Sequence, residues 1–395
     1  MTHFTKFNLF TVSSKNIDFA KLNFKSPALK VASQSIIFIF AFILQFRMEL
    51  EKLEFRDKIQ SALKTLKQFQ NPSYGKAIIQ LVNSFGPYIV LWILMYNLWE
   101  YSKLAVFLLG ILNAFFLVRI FIIQHDCGHN SFVRSRYMRD IVGYVCSVFS
   151  AIPYRYWAQS HHFHHNHNGM LEVRDIGDLD TLTVKEYAAL SRIKRFWYRV
   201  YRSPFVMFGI IPIYYVLIHN RLILIKMPEF KKLKWNLTLN NILLIGGIGL
   251  LCILLDWKKV LFVHFITLFI FAIVAIWFFY IQHQHEKGYK HWREKWEFIY
   301  AAVKGSSYYK LPGIFNWFTG NIAIHHIHHL NPAIPNYNLK KSVEAIPWLN
   351  KYTTEITFWE SLKLATHKLW DEHSERMITF REYYQLEKSG KINLA

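Results

Sequence analysis

Residues 104–129 read LAVFLLGILNAFFLVRIFIIQHDCGH, an apolar run over 104–123 followed at once by two histidines four positions apart. A helix needs about 20 mostly apolar residues to cross a hydrocarbon core, and 104–123 supplies them. If the helix continues past that run, His125 and His129 stand at i and i+4 on one of its faces. Three more segments are comparably apolar: 77–98, 237–255 and 260–281. The joins at 99–103 and 256–259 are only a few residues long, so the four spans pair as two helical hairpins.

Composition agrees. The 395 residues are 53% hydrophobic and 17% aromatic, and the mean hydropathy of +0.13 is too high for an ordinary soluble domain of this length. The net charge of +21 and pI near 9.7 call for an anionic partner. No nucleic-acid motif accompanies the charge, which leaves lipid headgroups or an acidic protein. Cys127, Cys146 and Cys252 are scattered, with neither a disulfide framework nor a CxxC clip.

Sixteen Lys and Arg fall between Gln124 and Asn236, an excess that marks a cytoplasmic loop and puts both termini on the same side. The apolar runs 141–152 and 205–218 are below spanning length and have Pro153 and Pro212 nearby, so they are expected to be interfacial or partly buried helices. The run Ser35–Phe46 is also too short to cross, and no small-residue cleavage site follows it. Met48 opens a charged amphipathic stretch, MELEKLEFRDKIQ, suited to a natural start. The expected division is an N-terminal extension over 1–47 and a single membrane domain over 48–395, without internal repeats.

Histidine is the anomaly, because thirteen of nineteen lie within 125–129, 161–167, 283–285 and 325–329. His161, His164 and His165 form one HxxHH set, and His325, His328 and His329 form another. Positions i, i+3 and i+4 share a helical face, so these triplets and the His125/His129 doublet can aim eight imidazoles at one volume. Two spans separate the second cluster from His283 and the third, and an even number returns the chain to the same side. Eight or nine imidazoles exceed what one ion can use, so two ions are implied. Structural zinc favours tetrahedral sites containing cysteine, which leaves redox iron as the better fit. His162 and His326 fall off the shared faces and read as structural. His219 and His264 read as satisfied polar residues of the bundle, and His3, His291, His367 and His373 as surface. Cys127 and Gly128 read as small residues that allow close helix approach. The resulting fold class is all-α integral membrane, with four transmembrane helices in two hairpins and a cytosolic helical cap holding a dimetal site. A histidine-rich metal transporter is the less favoured alternative, since its ligands would lie at mid-membrane depth. A haem-bearing electron carrier needs only paired single histidines.

From about Arg119 to Leu339 the chain resembles the membrane fatty acid desaturases with three histidine boxes, in particular the bacterial acyl-lipid branch, delta-12/omega-6-like or delta-5-like. The likeness rests on IIQHDCGHNSF, SHHFHH, DLDTLTVKEY, FYIQHQHE, GSSYYKLP and WFTGNIAIHHIHHLNPAIPNYNL. It implies a four-span fold with a cytosolic cap, a hydrophobic tunnel for the acyl chain, and two iron ions using dioxygen as co-substrate. The implied ligands are His125, His129, His161, His164, His165, His325, His328 and His329. The ninth, a histidine just past the fourth span, matches His283, although His285 here takes a place commonly held by an aromatic residue. The implied reaction is oxygen-dependent desaturation of a fatty-acyl chain carried by a membrane lipid, giving a cis double bond. The implied electron source is a ferredoxin or cytochrome b5-like donor with its reductase. The implied location is the bacterial plasma membrane, multi-pass, with the metals on the cytoplasmic face. A lipid or carotenoid hydroxylase with the same iron pair is the alternative within enzymes.

Overall fold

The computed structural model describes residues 27–392. The chain divides into two units after Gln60, a point inside α1 (Pro27–Leu66), which runs unbroken through 35–46 and past Met48. Residues 1–26 of the expected extension, and with them His3, lie outside the described residues.

In the second unit α2 (Tyr74–Leu98) and α3 (Lys103–Gly128) make the first hairpin. Ser102 Oγ accepts the Ala105 N–H at 3.1 Å and starts α3, a cap worth about 1 kcal/mol. Then come α4 (Arg136–Ser150), α5 (Tyr154–His167), α6 (Val184–Ala189), α7 (Arg192–Tyr201), α8 (Ile211–Leu217) and α9 (Pro228–Lys231). The second hairpin is α10 (Lys234–Leu254) and α11 (Trp257–His283). Asp256 starts α11 by accepting from the Lys258 and Lys259 N–H groups.

These four helices are long and apolar enough to cross a membrane. Of the most apolar window of α3, 56% is buried, against 17% in α10, so α3 is the central helix and α10 the most lipid-facing. Ile79, Val82 and Val90 on α2 and Ile245, Leu250 and Ile253 on α10 are exposed, as side chains in contact with lipid would be. The one charge within the apolar run of α3, Arg119, is satisfied within the protein: it donates to the Trp317 carbonyl and to Asn83 Oδ1, and its guanidinium lies 3.8 Å from the Trp317 ring centroid. The run 141–152 becomes the end of α4, and 205–218 becomes a π-helical turn leading into α8. Helix α7 and residues 206–221 are bent by 50°, and would make a fifth, broken span if taken together.

Beyond α11 the cap contains α12 (Phe298–Lys304), β1 (Ser307–Lys310), α13 (Gly313–Phe318), α14 (His325–Leu330), α15 (Asn336–Ala345), β2 (Thr354–Thr357), α16 (Phe358–Leu364), β3 (His367–Asp371), β4 (Arg376–Thr379) and α17 (Phe380–Lys388). Strand β1 pairs in parallel with β2, Ser307 opposite Thr354, and β3 pairs antiparallel with β4. The protein is mostly helical, as expected, with two small sheets added. Strands of four or five residues are too short to show a readable alternation.

Candidate metal centre

Each histidine cluster sits where a helix ends or begins, and each end is tied down. Gln124, just before His125, donates to the Ile152 carbonyl at 2.9 Å and accepts from Ser150 Oγ at 2.8 Å. That locks the last turn of α3 to the loop leading into α5. Gln282, just before His283, donates to the Ile322 carbonyl at 3.1 Å, and β1 holds the next residues through Tyr309 N–H to the Ala323 carbonyl at 2.9 Å. The end of α11 is thereby joined to the segment that opens α14. A Cβ at Gly128 would meet the Ala158 Cβ at 3.1 Å, so a small residue there does allow α3 to approach α5.

The histidine ring nitrogens converge. His125, His129, His161, His165 and His328 have ligand atoms within 4.8 Å of one another, and so do His164, His283 and His329. His325 joins the second group, its Nε2 lying 2.9 Å from that of His283 and 3.0 Å from that of His329. Further Nε2 pairs are His125 with His328 at 3.0 Å, His161 with His165 at 3.1 Å, and His164 with His283 at 3.1 Å. All nine residues read from the sequence are therefore brought together, in sets of five and four.

His285 is buried but stands apart, with neither ring nitrogen partnered among the described residues. His162 and His326 are also outside both sets, as their positions off the shared faces require. His291 and His367 are half-buried rather than surface, His373 is exposed, and His219 Nδ1 and His264 Nε2 have no partner among the described residues instead of being satisfied.

The donor set suits a cation. Burial, and then the neighbouring imidazoles, hold His129, His161, His165, His325, His328 and His329 well below the ordinary histidine range. Burial lowers His164 to about 4. The rings are thus neutral at pH 7, each with a lone pair to give. Two neutral rings can share only one hydrogen between facing nitrogens, so rings that meet two others cannot satisfy one another. The Nδ1 atoms of His164, His165, His325 and His329, and Nε2 of His129, are buried without partners among the described residues.

Two rings are oriented from behind. His125 Nδ1 lies 3.0 Å from Asp126 Oδ1, and Asp126 Oδ2 accepts from Asn336 N–H at 2.6 Å and its side-chain amide at 2.7 Å. Gln80 donates to Asn336 Oδ1 at 3.0 Å, extending the chain of bonds to α2. His283 Nδ1 lies 3.2 Å from the Gly305 carbonyl. Carboxylate and carbonyl can only accept, so Nδ1 carries the hydrogen in both rings and Nε2 faces the cluster with its lone pair. Asp126, Asn336 and Gln80 were not singled out from sequence; only the adjacency of Asp126 to His125 could have pointed to them.

A family model described as fatty acid desaturase matches residues 102–353. The chain belongs to the fatty acid desaturase family. It is similar to a fatty acid desaturase of Bacillus subtilis, 39% identical over 324 residues, or 82% of this chain and 91% of that protein. It is also similar to an sn-1 acyl-lipid omega-3 desaturase (ferredoxin) of Nostoc sp., 27% identical over 254 residues, covering 62% and 68% of the two chains. A third relative is an acyl-lipid omega-3 desaturase (cytochrome b5) of the endoplasmic reticulum of Arabidopsis thaliana, 28% identical over 240 residues, covering 57% and 59%. The desaturase is thus a membrane oxidoreductase acting on fatty acids, with a buried histidine cluster able to hold metal.

Proposed function

We propose that this desaturase introduces a cis double bond into the acyl chain of a membrane lipid, using two irons and dioxygen. His125, His129, His161, His165 and His328 would hold one iron, and His164, His283, His325 and His329 the other. The observation that carries this reading is the convergence of nine imidazoles in two adjoining sets, since all-nitrogen donor sets with room for two ions suit redox iron. When bound, the irons supply an oxidant able to take hydrogen from an unactivated methylene. Dioxygen becomes two waters by taking two electrons and two protons from the acyl chain, two electrons from a donor and two protons from solvent.

The chain's own residues bind, orient and exclude water. Trp157 stacks on His161 with centroids 4.6 Å apart, and Phe121 meets Trp157 at 4.9 Å. Phe279 stands 5.3 Å from His164 and 5.2 Å from His283. These rings give a methylene chain an apolar wall beside the ligands, where proximity decides which carbon reacts. Asp126 and the Gly305 carbonyl hold the Nδ1 hydrogens of His125 and His283. The basic loop 124–236 would face the cytoplasm at the plasma membrane, with the metals on that side. An acidic ferredoxin or cytochrome b5-like donor would dock there, and relatives of both donor types support that reading. Residues 48–395 would form the working domain.

Expression in a host without such enzymes tests the reaction. Lipid-bound acyl chains should appear two hydrogens lighter, with a cis double bond at one main position and only under oxygen. An acyl product one oxygen heavier, without an unsaturated counterpart, would overturn desaturation in favour of hydroxylation.

A further inference from the structure

A second buried basic cluster lies in the cap. Arg202, just after α7, has no exposed surface, and Lys368 on β3 and Lys290 after α11 are each 4% exposed. Arg202 and Lys368 share one aromatic neighbour: the guanidinium carbon is 5.8 Å and the ammonium nitrogen 5.5 Å from the Tyr280 ring centroid. Arg202 Nη2 donates to Gln284 Oε1 at 3.4 Å, and that oxygen also accepts from Thr181 at 2.9 Å. Lys368 Nζ and Gln284 Nε2 remain buried without a hydrogen-bond partner among the described residues, and Arg202 Nε and Nη1 have only the nearby tyrosine hydroxyls.

Among the described residues no carboxylate pairs with any of the three cations. Asp180 is exposed and engaged by Arg174 at 3.2 Å. Asp178, whose charge acts on Lys290, accepts from the Leu179 N–H. The Tyr201 and Tyr280 hydroxyls are within hydrogen-bonding reach of the guanidinium, but a hydroxyl supplies no full counter-charge. Burial lowers Lys368 to about 7 and Lys290 below the ordinary lysine value, so the two lysines can shed their charge, but Arg202 cannot escape the cost of a buried cation by losing its proton. Water could fill the donors but would not neutralise them.

We propose that Arg202, Lys368 and Gln284 hold a halide ion, chloride in the cell, at this closed seam of the cap. Closure narrows the class: with Arg202 wholly enclosed and Lys368 nearly so, a lipid headgroup would need an opening that a single halide would not. Gln284 follows His283 directly, so the anion would clamp the segment leaving α11 to the end of α7 and to β3.

Thermal unfolding of the full-length, metal-loaded protein in detergent, at fixed pH and ionic strength, tests this. Replacing sodium gluconate by sodium chloride or bromide should raise the midpoint along a saturating curve. Arg202→Gln should abolish the rise. Lys368→Met, a milder change should Arg202→Gln fail to fold, should weaken apparent halide affinity at least tenfold with metal content per chain unchanged. A midpoint indifferent to halide overturns the proposal, and so does an identical halide response in Lys368→Met and wild type. Phosphate or acetate matching chloride would also overturn it, by assigning the seam to an oxyanion.

Discussion

The histidine cluster and the Arg202–Lys368–Lys290 cluster are both buried collections of basic side chains, and Gln284 of one follows His283 of the other. They meet the cost of burial differently. Imidazoles lower their affinity for protons and become neutral, as the depressed values at His129, His165 and His329 record. Their unspent lone pairs then attract a cation. Arg202 keeps its charge and offers only N–H groups, so its neighbourhood attracts an anion. Basic residues in a protein interior therefore do not define one kind of site; what matters is whether the group can shed its proton.

The contrast is broken most severely by removing a lone pair from the histidine set. His164→Ala, His328→Ala and His283→Ala should each reduce desaturation to background and lower iron per chain, read by metal analysis alongside lipid profiling. Full activity with a full iron complement in any of them removes that residue from the set. Asp126→Asn keeps the shape but weakens the hold on His125, and should lower metal affinity about 10–100-fold, measured by competition with a chelator. An unchanged affinity would show that Asn336 and the helix alone orient the ring.

Protons should act in the opposite sense to metal. Burial lowers His164 to about 4, and His285 and His326 to about 3 each, from the ordinary value of 6.5. Below pH 6.5 the unfolded chain takes up protons that the folded chain refuses until about pH 4, so stability present above 6.5 is lost as pH falls through that window. Metal-free protein should show a falling unfolding midpoint from pH 7 to pH 5; a flat profile would mean that the folded rings take up protons as readily as the unfolded ones.

Smaller effects sharpen the boundary of the cluster. His162→Ala and His285→Ala should leave iron content near wild type with at most partial loss of activity, and equal loss at His285 and His283 would redraw the set. The smallest effect is expected from starting the chain at Met48, with wild-type iron content and membrane insertion; failure to insert would assign an anchoring role to residues before it.

Much of this arrangement is legible because the bilayer and the metal each impose a rigid pattern. The four spans declare themselves through unbroken apolarity. The HxxHH spacings declare a shared face that survives in α5 and in the two turns of α14. The continuation of α3 past 123 to Gly128 follows from the His125/His129 spacing, but apolarity alone does not show that α11 runs on to His283, past 281, because its last turn is buried by the protein rather than by lipid. The choice of His283 over His285 as the residue within the cluster is likewise a matter of helix phase at the end of α11. Arg202, Lys290 and Lys368 meet only through the fold, and as isolated charges among aromatic residues they carry no spacing that would join them.

The ligand turns at the ends of α3 and α14 are separated by about 200 residues of chain, which sets a schedule for biosynthesis. At about 5–20 residues per second, the ribosome needs about 10–40 s to go from His125 to His329. During that interval His125 and His129, at i and i+4 on one helix, form a two-toothed chelator without their proper companions. Copper and zinc bind such nitrogen pairs more tightly than ferrous iron does. With iron as the proposed metal, the order in which the chain emerges would expose the nascent enzyme to the wrong ion, and correct loading would depend on scarce free copper and zinc in the compartment where it is made.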